Sequence, residues 1–313
     1  MTQSLNLVFC GTPQFAVPTL EKMVASGFRV HLVVTQPDRP KGRGLELVPS
    51  SVKESALKLN LPITQPDRIK TNDEFRAQLT ALKPDAIIVV GYGRLIPQWM
   101  LDLPPLGNLN LHASLLPKYR GAAPMQWAIA QGETVTGVTT MRLDAGLDTG
   151  DILLQREIPI GSADTAETLA PRLASIGADL MVETLRGLQA GSIQPRPQDN
   201  SRATLAPILK KEDGWVDFSR SAVEIYNRIR GFQPWPGAYT KFRRKSLQIV
   251  KARPASEIFP PAELRVQADR LFVGCGHNSS LELLELQMEG KNRISARDFL
   301  HGYRPQPGEK LGS

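Results

Sequence analysis

The chain has only two cysteines in 313 residues, Cys10 and Cys275, each inside an apolar stretch. That count excludes a disulfide framework and reads as two buried free thiols. Its four histidines fall in no CxxC or HExxH spacing, so no metal site is expected. Hydrophobic residues make up 41% of the chain, yet no apolar run approaches the roughly 18 residues that a membrane helix needs. The opening MTQSLNLVFCG lacks a basic leader and a long apolar core, and it runs directly into a strand-like pattern; a cytoplasmic protein is expected. The dinucleotide fingerprint is missing too. The first strand turn, FCGTPQFAVP, keeps Gly11 but sets Pro13 and Ala16 where G-x-G-x-x-G needs its other glycines, which argues against hydride transfer.

What is present over the first 160 residues is alternation. LNLVFC (5–10), VHLVVT (30–35), DAIIVV (85–90) and NLNLHA (108–113) read as strands, with helical spacing in TLEKMVASG, SVKESALKLN and NDEFRAQLTALK between them. GVTTMRL and DILLQREIPI add later strands, and Asp164 with Glu167 predicts a capping box for a helix running to about residue 188. The pattern predicts an α/β chain with a doubly wound, mostly parallel sheet. A polar, Pro-rich stretch without periodicity, GSIQPRPQDNSRATLAPIL (191–209), then reads as a linker. Beyond it a capping box at Ser221 and Glu224 opens a helix. Five short strands follow, AYTKF, KSLQIVKA, ELRVQA, RLFVGCG and SLELLELQ, which predict a small β-barrel of the oligonucleotide-binding (OB) type.

Charge divides the chain as well. Residues 1–189 hold 18 basic and 18 acidic side chains, whereas residues 190–313 hold 20 and 13, so the whole net charge of +7 lies in the last third. A polyanionic partner docking on a C-terminal module explains that asymmetry.

The densest polar chemistry is in GNLNLHASLLPKYRGAAP (107–124). Side chains two apart on a strand point the same way, so Asn110 and His112 project together from the carboxyl end of a strand, where open α/β sheets bind ligands. A carboxamide beside an imidazole suits a carbonyl oxygen that becomes an oxyanion. Spacing alone leaves a satisfied structural pair equally open. In MRLDAGLDTGDIL (141–153), Asp144, Asp148 and Asp151 stand among glycines, which lets a tight loop carry a carboxylate into a cleft beside His112. Asp144 and Asp151 read better as turn caps. The loop TQPDRPKGRGLELVPS (35–50), taken alone, reads as a solvated loop.

NLHASLLPKYRGAAP together with GLDTGDIL resembles the signature of the 10-formyltetrahydrofolate-dependent formyltransferases, and FCGTPQFAVPTLEKMV, QPDRPKGRG, VVGYGRLIP and GFQPWPGAYT extend the likeness along the whole chain. The resemblance implies a Rossmann-like formyltransferase catalytic domain over 1–189, a linker over 190–208 and an OB-like tRNA-binding barrel over 209–313. It places Asn110, His112 and Asp148 in the catalytic roles. It sets Ser114, Leu115, Leu116 and Pro117 against the folate, with Gly91, Tyr92 and Gly93 lining the pterin pocket. Through its basic loop it implies Arg39, Lys41 and above all Arg43 as contacts to a tRNA acceptor end. Lys210, Lys211, Arg243, Arg244 and Lys245 are the candidate phosphate contacts of the C-terminal domain. The implied partners are 10-formyltetrahydrofolate, as formyl donor, and initiator methionyl-tRNA, whose α-amino group accepts; no metal is needed, and the chain is expected to act as a monomer. A relative acting on a sugar-nucleotide amine shares the signature but has little use for a basic RNA-facing module.

Overall fold

The first strands owe their uninterrupted apolar character to burial on both faces. In the computed structural model, which describes residues 5–41 and 46–312, β1 (Asn6–Gly11), β2 (Arg29–Val34), β5 (Ile63–Thr64), β6 (Ala86–Val90), β7 (Asn108–His112), β8 (Val135–Arg142) and β9 (Ile152–Pro159) form one sheet in the order β5-β2-β1-β6-β7-β8-β9. The pairs from β5 to β7 are parallel, and β8 runs antiparallel to β7. Helices α1 (Val17–Ala25), α2 (Ser51–Lys58), α3 (Asp73–Leu82) and α4 (Gln98–Leu101) connect these strands, and α6 (Ala166–Gln189) follows β9. On one face Val8, Cys10, Leu32, Val34, Ile87 and Val89 pack with Phe75 and Leu79 of α3 and Met100 of α4. The alternate residues Leu7, Phe9, Val33 and Ile88 are buried too. A parallel sheet covered in this way shows no two-residue alternation, which is why these strands read as continuous runs. Strand order reverses at β1 and β6, so the carboxyl ends of β1, β6 and β7 border the crevice in which such sheets bind ligands.

The chain divides into two units. The first comprises Met1–Gly121, Thr136–Pro159 and Ala170–Leu205, the second Ala122–Val135, Ile160–Leu169 and Ala206–Ser313. The stretch expected as a linker is not a free spacer in its first part. Arg196 pairs with Ile152 through two backbone hydrogen bonds of 2.8 Å, and Arg120 forms a parallel bridge to Leu205. A short hairpin of β3 (Arg39–Lys41) and β4 (Glu46–Val48) also belongs to the first unit.

In the second unit β10 (Ala238–Phe242), β11 (Lys245–Ala255), β12 (Leu264–Gln267), β13 (Arg270–Cys275) and β14 (Ser279–Met288) form an antiparallel sheet in the order β10-β11-β14-β13-β12, and β15 (Ile294–Ser295) pairs with β14. The tail bridges its two edges. Leu264 N–H donates to Glu309 O at 2.8 Å, Leu311 N–H to Ala262 O at 2.9 Å and Gly312 N–H to Lys241 O at 2.8 Å. The expected small barrel is thus completed by four residues of tail that carry no strand pattern. Its interior is an apolar cluster that takes in Ile225 and Ile229 of α7 (Ala222–Gly231) and Phe299 of α8 (Ala296–Tyr303). The expected Ser221–Glu224 capping box is present, with Ser221 N–H on Glu224 Oε2 at 3.0 Å and Glu224 N–H on Ser221 Oγ at 3.3 Å. At α6 the box is shifted by one residue from Asp164 and Glu167. Thr165 and Thr168 exchange the two bonds at 3.0 and 3.3 Å, while Asp164 accepts Gly161 N–H. Helix α5 (Pro124–Ala130), also in this unit, sets Trp127 edge-on to Phe232 at 5.3 Å.

Candidate functional site

Three side chains meet at the carboxyl end of β7. Asn110 and His112 project from the same face, and the Asp144–Gly150 loop that follows β8 brings in Asp148. Asp148 Oδ1 lies 3.5 Å from Asn110 Nδ2, and Asp148 Oδ2 lies 3.7 Å from His112 Nδ1. The same Oδ2 accepts Gly121 N–H at 2.8 Å. His112 is buried, and its Nε2 is 2.8 Å from the Tyr119 carbonyl. A carbonyl only accepts, so Nε2 carries a proton and Nδ1 is the imidazole edge left facing Asp148. The contacts within the trio are long by hydrogen-bond standards, which leaves capacity on Asn110 Nδ2 and His112 Nδ1 for a ligand between them.

The backbone that frames the trio is unusual. Asp148 has φ of 52° and Tyr119 of 61°, both in the left-handed region that side chains avoid. Such residues persist only where their surroundings over-determine them, and they cluster at functional sites. Gly150 must be glycine, because a Cβ there would sit 1.8 Å from the Arg142 carbonyl oxygen. Asp144 caps its own loop, accepting Gly146 N–H at 3.0 Å and the Thr149 hydroxyl at 2.7 Å, in agreement with its expected role as a turn residue.

The residues expected against a folate divide into two kinds. Ser114 and Leu116 turn inward. Ser114 Oγ donates to Lys118 O at 2.6 Å, and Leu116 packs with Met141 and Ile152. Thr139 Oγ1 donates to Ser114 O at 2.7 Å and accepts Leu116 N–H at 3.1 Å, while Gln155 Nε2 donates to Leu116 O at 2.9 Å. Leu115 and Pro117 are half-buried and keep a free side. Tyr92 also points inward. Its phenol is in the sheet's core, has no hydrogen-bond partner among the described residues, and has its pKa raised chiefly by burial. What the 91–93 segment offers outward is therefore backbone, with Gly91 and Gly93 exposed at φ of 55° and 78°. A Cβ at Gly93 would come within 2.7 Å of Gln36 Nε2.

The basic residues are dispersed. Arg39 is exposed and donates to Gln36 Oε1 at 2.9 Å, whereas Arg43 and the side chain of Lys41 lie outside the described residues. Lys210 and Lys211 are exposed at the start of the second unit's barrel segment. Arg243 and Arg244 are the two turn residues of the β10–β11 hairpin, with φ of 49° and 64°. Arg243, unlike Arg244, has a carboxylate partner. Its guanidinium grips Glu309 through Nε at 2.7 Å and Nη2 at 3.0 Å, and donates to Tyr303 O at 3.0 Å. Arg244 and Lys245 are exposed and make no ion pair among the described residues.

Arg120, Gln198 and Thr204 carry no motif of their own that marks them as functional in the sequence. Arg120 stands inside the polar stretch already singled out, so its signal was available. Gln198 and Thr204 fall in Pro-rich chain that shows neither periodicity nor a motif.

Residues 5–185 match the model of the formyl transferase family, and residues 208–304 match that of the formyl transferase C-terminal domain. A methionyl-tRNA formyltransferase of Koribacter versatilis is 67% identical over 306 residues, covering 98% of this chain and 98% of its own. One from Acidobacterium capsulatum is 61% identical over 311 residues, covering 99% of this chain and all of its own. A solved N-formyltransferase from Helicobacter canadensis, in complex with folinic acid and dTDP-3-aminofucose, superposes with a TM-score of 0.67 at 19% identity over 91% of this chain and 99% of that one, a likeness of fold. With the family model spanning the sheet and trio, and a second one spanning most of the barrel, the chain belongs to the formyl transferase family.

Proposed function

We propose that this chain transfers the formyl group of 10-formyltetrahydrofolate to the α-amino group of initiator methionyl-tRNA. The observation that carries the reading is the Asn110–His112–Asp148 trio at the carboxyl edge of the sheet, in a chain 67% identical over nearly its full length to a methionyl-tRNA formyltransferase. The sugar-nucleotide reading has likenesses of fold at 19–20% identity behind it, and it gives no use to the +7 charge that lies wholly beyond residue 189.

The folate supplies a formyl group on N10, ready to be passed to an amine. Each side chain of the trio then has a definable task. Asn110 Nδ2 donates to the formyl oxygen as it gains negative charge. His112 keeps Nε2–H on Tyr119 in both charge states, so Nδ1 is its working atom: protonated, it donates to the same oxygen. Asp148 Oδ2 faces the same edge of the ring at 3.7 Å and can hold a water that moves the amine's proton. Holding the amine and the formyl carbon in line supplies much of the rest. The outward backbone of Gly91 and Gly93, with Leu115 and Pro117, forms the folate wall. Ser114, Leu116 and Tyr92 serve that wall from behind.

For the acceptor, Arg43, Lys41 and Arg39 reach the acceptor end, and the 209–313 domain docks the tRNA body. Every group named comes from one chain, so a monomer suffices, working in the cytoplasm where charged tRNA is found. No helix among the described residues is long and apolar enough to cross a membrane. The test is incubation with 10-formyltetrahydrofolate and charged initiator tRNA, followed by mass analysis of the released amino acid. N-Formylmethionine is the expected product, and unmodified methionine overturns the reading.

A further inference from the structure

Arg120 is a buried cation, 7% exposed, with no carboxylate against it among the described residues. Its guanidinium meets neutral amides instead. Nε and Nη2 donate to Gln198 Oε1 at 3.0 and 2.7 Å, and Nη2 also donates to Asn200 Oδ1 at 2.8 Å. With Oε1 taken by a pure donor, the Gln198 carboxamide has one possible orientation, and its amino group must find acceptors. Besides Met141 Sδ at 4.0 Å it finds two carbonyls, Asp148 O at 2.9 Å and Gly150 O at 2.7 Å. Both protons of Gln198 Nε2 therefore hold the backbone of the loop that carries Asp148.

The neighbours of Arg120 complete the pattern. Tyr119 O receives His112 Nε2, and Gly121 N–H holds Asp148 Oδ2 at 2.8 Å. Three successive residues thus touch the imidazole, the carboxylate and, through Gln198, the peptide that bears the carboxylate. This tripeptide is itself tied down by Thr204, whose Oγ1 accepts Tyr119 N–H and whose carbonyl accepts Arg120 N–H, each at 2.8 Å. Asp148 stands in the left-handed region at φ 52°, a conformation that persists where the surroundings over-determine it, and the two Gln198 bonds fix the backbone on either side of Thr149.

We propose that Gln198 is a positioning residue of the formyl-transfer site, setting the Asp148 carboxylate against His112 through a relay anchored on Arg120. The inference rests on the formyl-transfer reading above and adds to it a residue from the stretch that looks like a linker. Gln198 has no contact with the reacting atoms. It acts on where Asp148 stands, and a displacement of about 1 Å in such a group can cost up to about 100-fold in rate.

The test uses the full-length chain with 10-formyltetrahydrofolate and charged initiator tRNA. Gln198→Ala, and Gln198→Met as a variant of similar shape, should lower kcat by about 10- to 100-fold while KM for both substrates stays within about threefold. In an Asp148→Asn background the same substitutions should cost less than about threefold more, because the group they position has already lost its charge. A relay that only supports the fold predicts otherwise: a lower melting temperature, unchanged kcat per folded molecule, and full additivity with Asp148→Asn. Either that pattern or loss of folding in both variants overturns the proposal. A wild-type chain that makes no formylated product refutes the formyl-transfer reading itself, whereas an active wild type with an unimpaired Gln198→Ala refutes the relay alone.

Discussion

His112 Nε2 lies 2.8 Å from the carbonyl oxygen of Tyr119, and this one contact decides which edge of the imidazole can react. The Nε2 proton is committed to a backbone acceptor, so Nδ1 must do the chemistry at the Asp148 side. Replacing His112 by Ala should leave a folded chain that binds tRNA but turns over at least ~100-fold more slowly, the scale of a lost proton-transfer group or oxyanion donor. Asn110→Ala and Asp148→Ala should each fall in the same range, and pairs should cost less than the product of the singles. Near-normal turnover in His112→Ala, measured as formylmethionyl product per folded enzyme, would sink the mechanism.

How much of this trio could be read from sequence depends on the strand beneath it. β1 and β6 were plain because a doubly covered parallel strand is a continuous apolar run, whereas β7 alternates as NLNLH, and that two-residue spacing put Asn110 and His112 on one face. The distance to Asp148 was not readable, since it depends on positive φ at Asp148 and on Gly121, two loop conformations without periodic signal. Gln198 was hidden by its company of prolines and polar residues, a composition shared by idle linkers. The β3–β4 hairpin was missed because three residues a side give no alternation. α8 was missed although Ser295 and Asp298 spell a cap, with Asp298 N–H on Ser295 Oγ at 3.1 Å.

Glu282 is a place where acid should act on stability. It is 5% exposed and lies between two arginines, with Arg270 Nε on its Oε1 at 3.0 Å and Arg253 Nε on its Oε2 at 2.7 Å. Hydrogen bonds from Arg270, then from Arg253, hold its carboxyl down to about 2 from an ordinary 4.5. A folded-state value below the unfolded one gives stability that is full above about pH 4.5 and is lost as pH falls toward 2. Both arginines are about half exposed, so screening limits the gain to on the order of 2 kcal/mol at neutral pH. Glu282→Gln should destabilise the barrel by that amount at pH 7, and the gap from wild type should close between pH 4.5 and pH 2. Denaturation followed at pH 7 and pH 3 checks it; a gap independent of pH contradicts the assignment.

Arg43 stands between two glycines in KGRG, outside the described residues, and the likeness to the formyltransferases gives it the contact to the acceptor end. Arg43→Ala should raise KM for charged tRNA or lower its kcat/KM by at least ~10-fold, while folate binding is unchanged. Arg43→Lys should recover only part, because an ammonium neither stacks on a base nor pairs in fork geometry. Parental behaviour of both variants with tRNA would return the loop to an ordinary solvated segment.

The β10–β11 turn offers the sharpest contrast for the tRNA-docking surface, because two adjacent arginines there have different neighbours. Both have positive φ, at a turn position where Asn-Gly is the favoured pair, so the backbone gains nothing from either side chain. Arg243 is accounted for by its fork on Glu309, which ties the turn to the tail that closes the barrel, and that bond raises its own pKa while lowering that of Glu309. Arg244 and Lys245 have no ion pair among the described residues and remain available to phosphate. Arg244→Ala and Lys245→Ala should therefore weaken tRNA binding and reduce the slope of log K against log salt by roughly 0.7 to 0.9 per lost contact, and Lys210→Ala and Lys211→Ala should do the same. Arg243→Ala should instead lower the melting temperature of the barrel and leave the salt slope nearly unchanged. The measurement is tRNA binding titrated against salt for each variant beside its thermal midpoint. Equal salt slopes in all of them would mean that the +7 excess does not meet RNA at these residues, and a slope change confined to Arg243→Ala would reverse the roles argued for the pair.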